Sequence, residues 1–324
     1  MLRIGKSFLL VLLAAIMSCE KQDENIAPEP EPIDYPGIVD DSHVFNGKER
    51  RYVLHIPDDH DGTSTIPLVI FLHGGGGNAE SAQNFTNFNN VSENEGFLIA
   101  YPEAFFESAP NNFVWADGRG LAPDKLGIDD VGFVNSLTST LMEEYNINSR
   151  KVYLCGFSNG SFLTQRIAFE ANQLYAAIGT LGGTMSISQY ESGDPERAIP
   201  MMYVFGTDDP LVPYEGGFVS GNPNLEEVVS AEAAVDFWVQ NNDCTDSSGP
   251  TELPDLVSSD NSTVTVFEYT QGDNGSAVIF YRVNGAGHTW PGVLLPGQEA
   301  LGATNLDILA SSELWHFFDQ FELQ

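Results

Sequence analysis

Two kinds of apolar segment alternate along the chain. Continuous apolar runs read as buried strands at Val44–Asn46, Arg51–Ile56, Leu68–Leu72, Phe97–Tyr101, Val152–Cys155, Ala177–Leu181, Met201–Phe205, Val264–Tyr269 and Val278–Val283. Between them, apolar residues recur at helical spacing over Asn78–Phe85, Asp130–Tyr145, Ser161–Ala171, Ser230–Asn241 and Asn305–Phe321. This alternation predicts an α/β fold with a mostly parallel sheet and helices on both faces. Asp130 is placed to cap the second of these helices, and Thr304 with Asp307 has capping-box spacing for the last.

The first forty residues break the pattern. Arg3 and Lys6 precede an apolar stretch, Phe8 to Met17, of the length of a signal-peptide core and short for a membrane span. Ser18-Cys19 follows it, and this junction resembles a bacterial lipoprotein box. That resemblance implies removal of residues 1–18 and lipidation of Cys19, which would make a membrane the chain's partner through its anchor. Residues 19–40, acidic and carrying Pro28, Pro30, Pro32 and Pro36, read as an extended tether. Its opening Glu20-Lys-Gln-Asp-Glu24 resembles the export signal of surface lipoproteins in some Gram-negative bacteria. One catalytic domain is then expected over residues 41–324.

Charge narrows the choice of partner. Against 46 Asp and Glu stand 13 Lys and Arg, a net charge of −33. Such a surface repels phosphate backbones and excludes nucleic acid as a partner. The three cysteines, Cys19, Cys155 and Cys244, give no disulfide framework, and the sequence has no C-x-x-C or H-E-x-x-H. Neither a metal nor a cofactor is indicated.

Three strand ends carry chemistry. Gly156-Phe-Ser-Asn-Gly160 joins an apolar run to a helical one, which is the strand–turn–helix context of a nucleophile elbow with Ser158 as nucleophile. Leu68–Leu72 runs into His73 and four glycines, a loop able to offer a backbone N–H to an oxyanion. Gly75 is the favoured donor there, with Gly76 as the alternative, and the second donor is the N–H of Asn159. Met201–Phe205 leads to Asp208 and Asp209, of which Asp209 is the favoured triad acid and Asp208 the alternative. Val278–Val283 leads to a glycine-rich loop bearing His288. The order Ser, Asp, His is that of α/β-hydrolases. Trp115 and Trp290, flanking the predicted site in sequence, are candidate substrate contacts, with Phe105, Phe106 and Phe113 as further aromatics.

Taken in order, His73-Gly-Gly-Gly-Gly-Asn78, Asp129-Asp-Val-Gly-Phe133, Gly156-Phe-Ser-Asn-Gly160, Gly206-Thr-Asp-Asp-Pro-Leu-Val-Pro-Tyr214 and Gly287-His-Thr-Trp-Pro-Gly292 resemble the polyhydroxybutyrate depolymerase-like esterases. The resemblance runs from about residue 41 to the end, Leu314-Trp-His-Phe-Phe318 included. It implies an extracellular α/β-hydrolase with Ser158, Asp209 and His288 as triad, acting on feruloyl or acetyl esters of polysaccharide or on a short polyester. Asp117 and Arg119 are read either as orienting a polar group or as solvated loop charge. A non-catalytic glycan-binding lipoprotein on the same scaffold is the reading from another class.

Overall fold

The first hairpin closes at Asn46-Gly47, both with positive φ (50° and 72°), the conformation that a two-residue hairpin turn needs to match strand twist. It joins β1 (Ile38–Phe45) to β2 (Lys48–His55). The computed structural model describes residues 37–108 and 111–324. The expected signal peptide, Cys19 and most of the expected tether lie outside the described residues. Strand pairing begins at Ile38, three residues ahead of the expected boundary at 41. The side chains there are largely exposed, so backbone pairing with β2, not an apolar pattern, sets the strand's start.

The remaining strands are β3 (Ile66–Leu72), β4 (Leu98–Pro102), β5 (Phe105–Glu107), β6 (Asn112–Val114), β7 (Ile147–Phe157), β8 (Ala177–Leu181), β9 (Met201–Gly206), β10 (Asp246–Glu252), β11 (Thr263–Thr270) and β12 (Val278–Asn284). The helices are α1 (Ala79–Thr86), α2 (Phe88–Glu95), α3 (Ala122–Lys125), α4 (Asp130–Glu144), α5 (Asn159–Glu170), α6 (Ile187–Ser192), α7 (Ala231–Asn241) and α8 (Ala310–Phe318). Among the described residues, ten strands form one sheet in the order β1-β2-β4-β3-β7-β8-β9-β12-β11-β10, with β5 and β6 as a separate hairpin. The run from β4 to β12 is parallel, and both flanks are antiparallel. This is the α/β-hydrolase architecture the sequence predicts.

Continuous apolar runs are required because both faces of the central strands are covered. Leu68, Ile70 and Leu72 of β3 point into one core with Leu137 of α4, Phe162 of α5 and Trp238 of α7. Val69 and Phe71 point into the other, with Phe88 of α2 and Trp315 and Phe318 of α8. On that second face Trp315 stacks on Phe97 with centroids 4.1 Å apart, and Phe318 lies parallel to Tyr153 at 5.0 Å. Each such pair adds about 0.5–1.5 kcal/mol beyond its buried area.

Two capping expectations fail, for one reason: a carboxylate there found a better partner. The N-cap of α4 is Asp129, whose side chain accepts from the Gly132 amide. Asp130 is instead fully buried, ion-paired with Arg50 and accepting the Ala116 amide at 2.6 Å. Arg50 lies over the Phe133 ring, 3.7 Å from its centroid. The last helix starts only at Ala310, without a side-chain cap, because Asp307 is used elsewhere: it accepts the amides of Leu256 and Val257. The short elements α2, α3, α6, β5 and β6 and the edge strand β10 were not legible in the pattern. All of β10 is exposed, so it carries no apolar signature.

Asp130→Ala would leave the buried Arg50 guanidinium without its counter-charge. Removing one member of a buried pair typically costs about 3–5 kcal/mol. Urea unfolding of this variant should show a loss of that size, well beyond that of an exposed aspartate.

Candidate active site

Four loops leave the carboxyl ends of parallel strands β3, β7, β9 and β12, the end at which open α/β sheets bind ligands. The sharpest is the turn between β7 and α5. Ser158 sits there with φ 54° and ψ −119°, a strained conformation for a residue with a side chain. The flanking glycines are steric requirements. A Cβ on Gly160 would lie 2.1 Å from the Leu72 carbonyl oxygen, and one on Gly156 would lie 2.4 Å from that of Gly160. The tight packing of α5 against the end of β3 therefore lifts Ser158 to the top of the sheet.

His288, on the loop after β12, is 4% exposed, and its Nδ1 lies 2.6 Å from Oδ2 of Asp209. The other Asp209 oxygen accepts the amides of Leu211 and Val212, both at 2.8 Å, so its own loop holds the carboxylate in place. Asp208 turns away: its carboxylate accepts the Thr207 hydroxyl at 3.0 Å. Of the two candidate acids, Asp209 is the one at the imidazole. Ser158 and His288 line a single cavity of about 710 Å³ with Gly74–Gly77, Phe85, Phe157 and Leu211. No hydrogen bond joins the Ser158 hydroxyl to the imidazole here; in free enzymes such bonds are commonly long and tighten with substrate.

The glycine loop distinguishes its own amides. Gly76 donates to the Phe113 carbonyl at 2.9 Å and Gly77 to that of Gly74 at 3.0 Å. Gly76 is therefore engaged, which removes it as the alternative to Gly75. His73 braces the loop. Its Nε2 accepts the Ala104 amide at 3.0 Å, which leaves the proton on Nδ1 to be donated to the Gly74 carbonyl at 2.8 Å. Complete burial pushes this imidazole down to about 4.

Neither tryptophan expected to touch substrate reaches the cavity surface. Trp115 is fully buried, and its indole Nε1 donates to the His73 carbonyl at 2.9 Å. Trp290, 2% exposed, packs edge-on against Phe71, Phe85 and Phe157. In each case a large ring gains more from the core than from the solvent edge. Phe105, Phe106 and Phe113 line a separate surface cavity with Arg50 and Asp41. The aromatic walls sequence reading missed are Phe85 and Phe157; Phe157, the second residue of G-x-S-x-G, was in plain view.

Comparison with known proteins agrees with this architecture. The family model described as "Esterase PHB depolymerase" matches residues 50–210. Residues 50–210 thus carry this family's domain, and the protein is an esterase. It is 27% identical to NocK of Nocardia uniformis subsp. tsuyamanensis, described as an esterase, over 81% of this chain and 77% of that one. It is 27% identical to feruloyl esterase C of Emericella nidulans over 58% of this chain and 64% of the relative. To the bifunctional acetylxylan esterase/xylanase XynS20E of Neocallimastix patriciarum it is 25% identical, over 50% of this chain and 22% of that protein. The esterase thus spans less than two thirds of the last two. Among solved structures, the acetyl xylan esterase from Aspergillus awamori aligns with TM-score 0.53 at 13% identity, covering 81% of this chain and 97% of its own. A thermostable esterase aligns with TM-score 0.51 at 16% identity, over 88% and 63%. At these identities the two structures establish the fold alone.

The His73 ring generates a pH dependence of stability. An unfolded chain takes up this proton near 6.5 and the folded esterase only near 4, so the unfolded state binds more protons in between. Unfolding free energy should fall as pH drops from 6.5 towards 4. At about 1.4 kcal/mol per pH unit the loss from this ring reaches about 3 kcal/mol. Urea unfolding across that range should show a correspondingly shallower fall in His73→Gln.

Proposed function

We propose that the esterase works through an acyl-enzyme formed on Ser158. His288 Nε2 takes the hydroxyl proton as the Ser158 oxygen attacks the ester carbonyl. Asp209 accepts the Nδ1–H, fixes the tautomer and stabilises the imidazolium. The backbone N–H groups of Gly75 and Asn159 receive the negative charge that develops on the carbonyl oxygen. Collapse of the tetrahedral intermediate breaks the carbon–alkoxide bond, and His288 returns the proton to the departing alkoxide. Water, deprotonated by the same imidazole, then attacks the acyl group; the acyl bond to the Ser158 oxygen breaks as His288 returns that proton to it, and the acid leaves.

The observation that carries this reading is the 2.6 Å contact between His288 and Asp209 in the cavity that Ser158 also lines. On the substrate, support comes from the cavity's apolar walls, Phe85, Phe157 and Leu211, and from the relatives described as feruloyl and acetylxylan esterases. Feruloyl or acetyl esters on polysaccharide are the preferred class. The family description favours a short-chain polyhydroxyalkanoate as the second reading. We also infer export and anchoring through lipidated Cys19, on the strength of residues 1–19 alone.

A fluorophosphonate should label the wild-type esterase and not Ser158→Ala, whose ester turnover should drop to background. Turnover surviving in that variant would exclude the mechanism. Asp209→Asn should lower kcat by about 10⁴-fold, since the wrong tautomer is then favoured. Comparing methyl ferulate, acetylated xylan and hydroxybutyrate oligomers ranks the substrates. In a bacterial host, labelled palmitate should enter the wild-type chain and not Cys19→Ala; equal labelling of both would remove the anchor.

A further inference from the structure

Loop 115–119 lies beneath the nucleophile turn, and all its charge is buried. Asp117 is 1% exposed and Arg119 4%. The Arg119 Nε and Nη2 donate to Asp117 Oδ2 at 3.1 and 2.6 Å, and the guanidinium lies 3.5 Å from the centre of the Phe162 ring. This pair is poorly explained as a source of stability, because the desolvation of buried ions commonly offsets their attraction. Moreover, the Arg119 Nη1 is buried without a hydrogen-bond partner.

What the loop does hold is the side chain of Asn159, the residue after the nucleophile. Its Oδ1 accepts the Trp115 amide at 2.8 Å, and its Nδ2 donates to the Trp115 carbonyl at 3.3 Å and to Asp117 Oδ2 at 2.7 Å. The side-chain amide is thus docked on the loop backbone as a neighbouring strand would be. Trp115 in turn bonds the carbonyl of His73, at the head of the glycine loop. One short segment therefore ties together both sources of oxyanion amides. Next to Asn159, Ser158 holds a sparsely populated backbone conformation, and such strain persists only where the surroundings over-determine it.

We propose that residues 115–119 clamp the oxyanion hole, with Asn159 as the hook and Asp117 as the positioning residue that sets where the Asn159 backbone N–H points. The clamp rests on the triad reading given above and acts only through the backbone amide. It predicts a defect confined to the transition state.

The test compares wild type with Asn159→Ala, which keeps the backbone N–H and loses the hook. Two quantities are read: steady-state kinetics on a soluble aryl ester, and affinity for an aryl trifluoromethyl ketone. The Ser158 oxygen adds to that ketone's carbonyl carbon, its proton passes to His288, and the carbonyl oxygen becomes an oxyanion. A displaced donor should lower kcat by about 10–100-fold and weaken the ketone by a similar factor, with KM within about threefold of wild type. Asp117→Asn should move both quantities in the same direction by a smaller factor, and it decides the matter alone if Asn159→Ala does not fold. Wild-type kcat, or a loss carried by KM with ketone affinity intact, would overturn the clamp. A Ser158→Ala variant that still hydrolyses ester would instead sink the triad reading, so the two failures are distinguishable.

Discussion

Everything at the active end depends on how closely α5 approaches the end of β3. Gly160 lies against the carbonyl oxygens of Leu72 and His73 with no room for a side chain. That contact fixes the entry angle of the helix and with it the height and strain of Ser158. It also brings the β3 loop, the source of the glycine amides, alongside the amide that follows the serine. In the mechanism proposed above, nucleophile and oxyanion donors are therefore set by a single packing distance. The imidazole and the carboxylate are delivered separately, by β12 and β9, which are themselves neighbours in the sheet.

The site is built from pieces that hold each other at rest. Asp209 is anchored by two amides of its own loop, so its position does not depend on the histidine it contacts. His73 is neutral by burial and by a tautomer that two backbone groups dictate, which keeps a positive charge away from the base of the loop. Preorganised dipoles of this kind cost no reorganisation when charge develops, which is why they count for more than similar groups in water.

Much of this was legible in the chain before folding. Buried strands announced themselves because both their faces are covered, and the residues that meet at the strand ends were marked by the G-x-S-x-G turn, the glycine run and the order of Asp209 and His288. What escaped was decided by partners distant in sequence. Trp115 looks like a wall of the cavity until the His73 carbonyl offers its indole a hydrogen bond. Asp130 looks like a cap until Arg50, eighty positions away, claims it. Asp117 and Arg119 could orient a polar group or stand in solvent as far as sequence goes; the fold buries both, with Arg119 against Phe162. A polar residue in a loop shows its type in sequence, whereas its burial is a property of the whole molecule.

Among the described residues, β1 and β10 are the outermost strands of the sheet. Each is built to discourage a newcomer. β1 carries Asp40 and Asp41, and β10 carries Asp246, Pro250 and Glu252, with a register shift between Ser248 and Thr251. Proline removes a donor, like charges repel, and the irregular spacing spoils a matching ladder. Edge-to-edge pairing of two copies through either strand is thereby disfavoured.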